Sequence, residues 1–71
     1  MATHVTVPMA GKIVSIDVKI GDRVQEDDQI AVIEAMKMEM PLVASVPGVI
    51  KEICISIGQE VEAQTDIMII E

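Results

Sequence analysis

Two stretches decide the fold. The first is Gly11-Lys12-Ile13-Val14-Ser15-Ile16-Asp17-Val18-Lys19-Ile20-Gly21-Asp22-Arg23-Val24. The second is Gly48-Val49-Ile50-Lys51-Glu52-Ile53-Cys54-Ile55-Ser56-Ile57-Gly58-Gln59-Glu60-Val61. Laid over each other at an offset of 37 residues they match without a gap. Gly11 falls on Gly48, Gly21 on Gly58, Ile16 on Ile53 and Val24 on Val61. The match continues beyond them, Ile30 on Ile67 and Val32-Ile33-Glu34 on Ile69-Ile70-Glu71. Self-similarity at a fixed period is a statement about architecture. Two copies are too few for a solenoid, so the chain reads as one domain, residues 1–71. It is built from two similar halves, about 5–34 and 42–71.

Each half reads as β. Val14, Ile16, Val18 and Ile20 alternate with polar residues, which predicts one inward face. The second copy keeps the phase, with Ile53, Ile55 and Ile57 inward and Glu52, Cys54 and Ser56 outward. On this reading Ile16 and Ile53, and Val18 and Ile55, are buried in equivalent places. Gly21-Asp22 and Gly58-Gln59 mark turns, as do Pro8 to Gly11 and Pro47-Gly48, and the four glycines are read as meeting turn geometry. Asp27-Asp28 and Gln64-Thr65-Asp66 are polar loops before closing strands at Ile30–Glu34 and Ile67–Glu71. Four short strands per half predict an all-β fold of two small sheets packed face to face, or a flattened barrel.

Between the halves lies Ala35-Met36-Lys37-Met38-Glu39-Met40-Pro41. Alone it looks helical, since Ala, Met, Lys and Glu are good helix formers. The repeat argues otherwise, because Ile30–Glu34 corresponds to Ile67–Glu71, which closes the second half. A strand running into Lys37 must turn back toward Leu42-Val43, which predicts a tight hairpin over 35–41 with Met36 and Lys37 near its tip. Two-residue hairpins favour Asn-Gly or Asp-Gly, because positive φ is needed. Met-Lys departs from that rule, and such departures mark candidate functional sites. From spacing alone a solvated lysine on a turn remains the simpler reading.

Composition narrows the function. The formal net charge is −7, with 12 Asp+Glu against 5 Lys+Arg. A phosphate backbone is repelled by that surface. Phe, Tyr and Trp are absent, which removes the stacking platforms that hold single-stranded nucleic acid. No nucleic-acid partner is expected. Apolar runs fall far short of the ~20 residues of a membrane helix, so no membrane insertion is expected, and no secretory signal is visible. One cysteine, Cys54, and one histidine, His4, cannot assemble the usual zinc sites. A reducing compartment is the expectation. His4 reads as solvated. Cys54 reads as a weakly reactive outward thiol, since no basic neighbour is evident. Asp27-Asp28, Glu60 and Glu62 read as a solvated acidic surface.

Glu34-Ala35-Met36-Lys37-Met38-Glu39 resembles the attachment motif of biotinyl domains, the carrier domains of biotin-dependent carboxylases, decarboxylases and transcarboxylases. Pro8-Met9-Ala10-Gly11 resembles the family's Pro-Met-Pro-Gly, with Ala10 in place of the second proline. Gly21-Asp22-Arg23-Val24 resembles its Gly-Asp-x-Val turn. The resemblance covers nearly the whole chain. It implies a flattened β-barrel, or barrel-sandwich hybrid, of two four-stranded antiparallel sheets with pseudo-twofold symmetry. Lys37 is then the covalent attachment site of biotin. Glu34, Ala35, Met36 and Met38 are then read by the ligase or other partners, and covering the barrel end is the plainer role for the two methionines.

The resemblance also implies a carrier, not an enzyme. A biotin protein ligase joins biotin to the Lys37 amine as an amide. The partners would be biotin carboxylase and carboxyltransferase or decarboxylase subunits, between which the carrier moves a carboxyl group. Biotin carries the chemistry while the protein supplies binding and orientation. Lipoyl domains share this fold but typically place Asp-Lys-Ala at the hairpin, so a lipoyl-type carrier is the alternative. Some carriers of bacterial acetyl-CoA carboxylases hold an inserted thumb in the first half. The gapless repeat leaves no room for one here. The expected parent is a decarboxylase, a transcarboxylase, or a pyruvate or acyl-CoA carboxylase. The chain would be either a free-standing subunit or a domain of a longer protein. The cytoplasm is expected, or the mitochondrial matrix for a domain of a eukaryotic carboxylase.

Overall fold

A computed structural model describes residues 2–71. Its eight strands are β1 (Thr3–Thr6), β2 (Gly11–Ile16), β3 (Arg23–Val24), β4 (Gln29–Ala35), β5 (Met38–Val43), β6 (Gly48–Ile53), β7 (Glu60–Val61) and β8 (Asp66–Ile70). They form two four-stranded antiparallel sheets, in the orders β1-β8-β6-β3 and β5-β4-β2-β7. Adding 37 to each strand of the first half gives its mate in the second, and the operation turns one sheet into the other. The two packed sheets expected from the repeat, and the pseudo-twofold barrel-sandwich that the resemblance implied, are therefore present. Its long axis is 33 Å and the other two are 17 Å.

Neither sheet belongs to one half. β1 and β3 flank β8 and β6, while β5 and β7 flank β4 and β2. The halves are stitched by backbone hydrogen bonds that come in symmetric pairs. The Gly21 N–H donates to the Ile50 carbonyl at 2.8 Å, and the Gly58 N–H to the Ile13 carbonyl at 2.8 Å. The Asp27 N–H donates to the Ala44 carbonyl at 2.9 Å, and the Gln64 N–H to the Val7 carbonyl at 2.9 Å. Asp27 and Gln64 even share a left-handed φ of 73°. Loops that read as polar spacers are thus fixed turns. Carboxylates of Asp22 and Asp28 accept from the backbone N–H groups of Lys19 and Gln25, each at 2.8 Å.

The core lies between the sheets and is wholly apolar; among the described residues no polar side chain is buried. Its members are symmetry mates. Ile13 and Ile50 are both at zero exposure, as are Ile30 and Ile67. Ile33 and Ile70, Val24 and Val61, and Val5 and Leu42 follow the same rule. β-Branched side chains suit such a surface because they are stiff at χ1 and pack against the pleat.

The alternation read across 14–20 is corrected. Val14 is 36% exposed, and Ile20 and Ile57 are 66% and 67% exposed. Ile13 and Ile50 point inward instead. The cause is a bulge in each half, where the register slips between Ile13 and Ser15 and between Ile50 and Glu52. A bulge inserts one residue, and one residue reverses the faces. Beyond Ile16 the strand has ended, so Ile20 sits in a turn with no sheet to cover it. Ile16, Val18 and Ile53 are half-buried at the edge of the core, while Ile55 is buried within it. Two of the four glycines are also corrected. Gly11 and Gly48 do not serve turns. A Cβ on Gly11 would lie 2.5 Å from the Glu34 carbonyl oxygen, and one on Gly48 2.7 Å from the Ile70 side chain. They let neighbouring strands approach closely.

Ile13→Ala and Ile50→Ala are each expected to cost about 2–5 kcal/mol, the usual penalty for emptying a tight apolar site. Urea unfolding of the two variants should return similar losses. A several-fold smaller loss for one of them would show that the mates are not equivalent.

Candidate functional site

β4 runs into β5 through two residues, Met36 and Lys37, with Ala35 paired to Met38 across the gap. Met36 has φ 53° and Lys37 φ 64°. Positive φ at both central residues is what a type I′ hairpin demands, and it matches the twist of the flanking strands. For residues with a Cβ it costs roughly 1–2 kcal/mol each. The strands below hold it. Ile33, Ala35 and Leu42 are buried, and β4 is the longest strand, pairing with both β2 and β5. The tip itself is bare. Met36 is 91% exposed and Met38 65%, and Lys37 is exposed as well. Among the described residues no hydrogen bond or ion pair holds the Lys37 ammonium.

The repeat explains the position. The pair Ile33–Met40 at the base of the hairpin is the mate of Ile70–Thr3. The hairpin therefore stands where, in the other half of the molecule, β8 meets β1. Lys12 and Lys51 lie on strands and Lys19 beside the Gly21 turn, so only Lys37 is displayed on a two-residue tip. Glu34 is exposed one residue below Ala35.

Beside the hairpin runs an open groove of about 630 Å³. Gly11, Ala35 and Val61 form its floor. The exposed residues Glu34, Glu60, Glu62 and Lys12 line its rim. Its symmetry mate, of about 620 Å³, lies next to Glu71.

Other sequence-predicted residues fall elsewhere. His4, read as solvated, has a partner, since its Nδ1 lies 3.1 Å from Asp66 Oδ2 and ties β1 to β8. Only the fold could bring residues 62 apart together. Cys54 is exposed. Partial desolvation, with the Glu52 and Asp66 carboxylates, holds its thiol above the ordinary range. That disfavours the reactive thiolate. Among the described residues no cluster of three or more metal-ligating side chains occurs.

The family model described as "Biotin-requiring enzyme" matches residues 3–70. The chain belongs to that family. It is a biotinyl domain, and biotin is the cofactor of its kind. It is 41% identical over 49 residues to the "Biotin/lipoyl attachment protein" of Bacillus subtilis, covering 69% of this chain and 67% of that one. It is 38% identical over 69 residues to the "Biotin carboxyl carrier protein" of Streptococcus mutans, covering 97% of this chain and 53% of that one. The chain thus spans about half the length of that carrier protein. Among solved structures it superimposes on the urea carboxylase of Kluyveromyces lactis with a TM-score of 0.94 and 30% identity. That match covers the whole of this chain and 6% of the carboxylase.

Exposure makes a stability test of the tip direct. Met36→Ala and Met38→Ala should each shift urea stability by less than about 1 kcal/mol, as surface substitutions do. A loss of several kcal/mol would show that the methionines cover the barrel end.

Proposed function

We propose that the chain carries biotin on the Lys37 Nζ and serves as the carboxyl carrier domain of a biotin-dependent carboxylase. The observation that carries the reading is the display of Lys37. It is a free, exposed amine at the apex of a strained hairpin, on a domain of a biotin-requiring family. Lysine suits the attachment because its amine forms a stable amide and its long stem extends the reach of the arm. When bound, biotin accepts a carboxyl group at one active site and gives it up at another. The chain's own residues supply no nucleophile–base pair for that transfer. They anchor the arm at one point, the Lys37 amide. Tethering keeps the cofactor at high effective concentration near both active sites. Amide formation removes the lysine charge and adds one negative unit to the formal net charge of −7.

Three partners follow from this reading: a biotin protein ligase, a biotin carboxylase, and a carboxyltransferase or decarboxylase. The ligase would read the exposed Glu34, Met36 and Met38 around Lys37, with the buried Ala35 fixing the hairpin beneath them. The methionines suit that task, being flexible and polarisable enough to fit more than one surface. The repeat match leaves no thumb beside the hairpin, so the parent belongs with the thumbless carriers. The Bacillus relative's name leaves lipoate as the second reading, and the methionines either side of Lys37 favour biotin.

Co-expression with a biotin ligase should add the mass of one biotin per chain, and Lys37→Arg should add none. A lipoyl adduct would be told apart by its mass. Biotin on Lys12, Lys19 or Lys51 would contradict the proposal.

A further inference from the structure

The two grooves of the barrel form an internal comparison. They have nearly the same volume, about 630 and 620 Å³, because the repeat builds both. Volumes of roughly 300–1,000 Å³ are usual for small-molecule sites, but shape inherited by symmetry selects no ligand. Chemistry does. Gly11, Val61 and Glu34 keep their types in Gly48, Val24 and Glu71. Three rim positions do not. Glu60 stands where the sister groove has Arg23, Glu62 where it has Gln25, and Lys12 where it has Val49. The sister groove holds two carboxylates, Glu26 and Glu71, with the Arg23 guanidinium, whereas the groove beside Lys37 holds three, Glu34, Glu60 and Glu62, with the Lys12 ammonium.

We propose that this groove is the resting place of the bicyclic ring of biotin carried on Lys37, an inference that rests on the attachment proposed above. Its neutral ureido group has two N–H donors and one carbonyl acceptor. The carboxylates of Glu34, Glu60 and Glu62 accept from the donors, and the Lys12 ammonium donates to the carbonyl. A cationic guest, such as an arginine of a partner protein, suits the carboxylates but is repelled by Lys12. The Gly11, Ala35 and Val61 floor takes the apolar edge of the ring. The wall includes Ala35 and Met36, the two residues before Lys37, so the arm needs only to fold back along its own hairpin. The rim is exposed, so water competes and the intrinsic affinity is weak. A tether that supplies millimolar effective concentration populates the site all the same. The carrier would then hold its cofactor at rest between visits to the active sites.

Nuclear magnetic resonance of the ¹⁵N-labelled full chain tests this. Ligase-treated and untreated chains are compared after intact mass and peptide mapping have located the biotin. The expected result is amide shifts at Gly11, Lys12 and Val61, with nuclear Overhauser contacts from the ring to the Val61 methyls. The double variant Glu60→Arg, Glu62→Gln gives the groove two of its sister's residues and leaves it one carboxylate, Glu34. Biotinylated in the same way, it should lose those shifts and contacts while keeping the changes at the hairpin tip. Biotin on Lys37 with shifts confined to residues 35–39 would overturn the groove proposal alone. Equal shifts in parent and double variant would also overturn it. Absence of biotin from Lys37 would overturn the attachment reading, and the groove proposal with it.

Discussion

The structure depends on one constraint, the exchange of strands between the halves. β1 and β3 complete a sheet whose middle strands come from the second half, and β5 and β7 do the reverse. The paired bonds from Gly21 to Ile50 and from Gly58 to Ile13 lock that exchange at two symmetric points. A chain this short exposes much of its surface even when folded. Strand exchange gives it one undivided core between two sheets, where two separate halves would each have a bare face. The core can be wholly apolar because every strand brings Ile, Val, Ala or Leu to the same interior.

That core supports a tip which local chemistry opposes. Met36 and Lys37 sit at positive φ without being Gly or Asn. Such strain persists where the surroundings over-determine it. Here β4 does so, paired on both sides and buried at Ile33 and Ala35. The division of labour is physical. Stability resides in the sheets, and the reactive amine is placed where it contributes nothing to packing. A partner can therefore grip the tip without disturbing the fold. Symmetry sharpens the contrast, since the related position holds the β8–β1 junction and leaves one hairpin of this kind. Beside that hairpin the repeat is broken at Lys12, Glu60 and Glu62, whose mates are Val49, Arg23 and Gln25.

Much of this was legible in the sequence. The offset between Gly21 and Gly58 announced the two halves and located the hairpin between them, and the conflict between Met36-Lys37 and turn chemistry marked it as a candidate site. The inward face was misread because a bulge leaves no mark in the alternation of residues 14–20. Ile13 lay outside the inward face read over residues 14–20 and proved central. Gly11 and Gly48 looked like turn glycines, because a close approach between strands is visible only once the strands are paired. The strand exchange was hidden for a similar reason. A repeat shows that two halves are alike, and says nothing about which edges they share. His4 and Asp66 meet only through the β1–β8 register. The groove is assembled from β2, β4 and β7, so no contiguous motif could reveal it.

Native-state hydrogen exchange on the full chain tests the central claim most directly. The Ile13 amide donates to the Gln59 carbonyl at 2.9 Å, and the Ile50 amide to the Asp22 carbonyl at 2.8 Å. These amides are symmetry mates in opposite halves, and each is held by a bond that crosses to the other half. If one exchanged core holds the molecule together, both must wait for global unfolding. Their exchange free energies should then agree with each other and with the stability from urea unfolding. An amide set in one half that exchanged at a distinctly lower free energy, while the other stayed protected, would contradict the account.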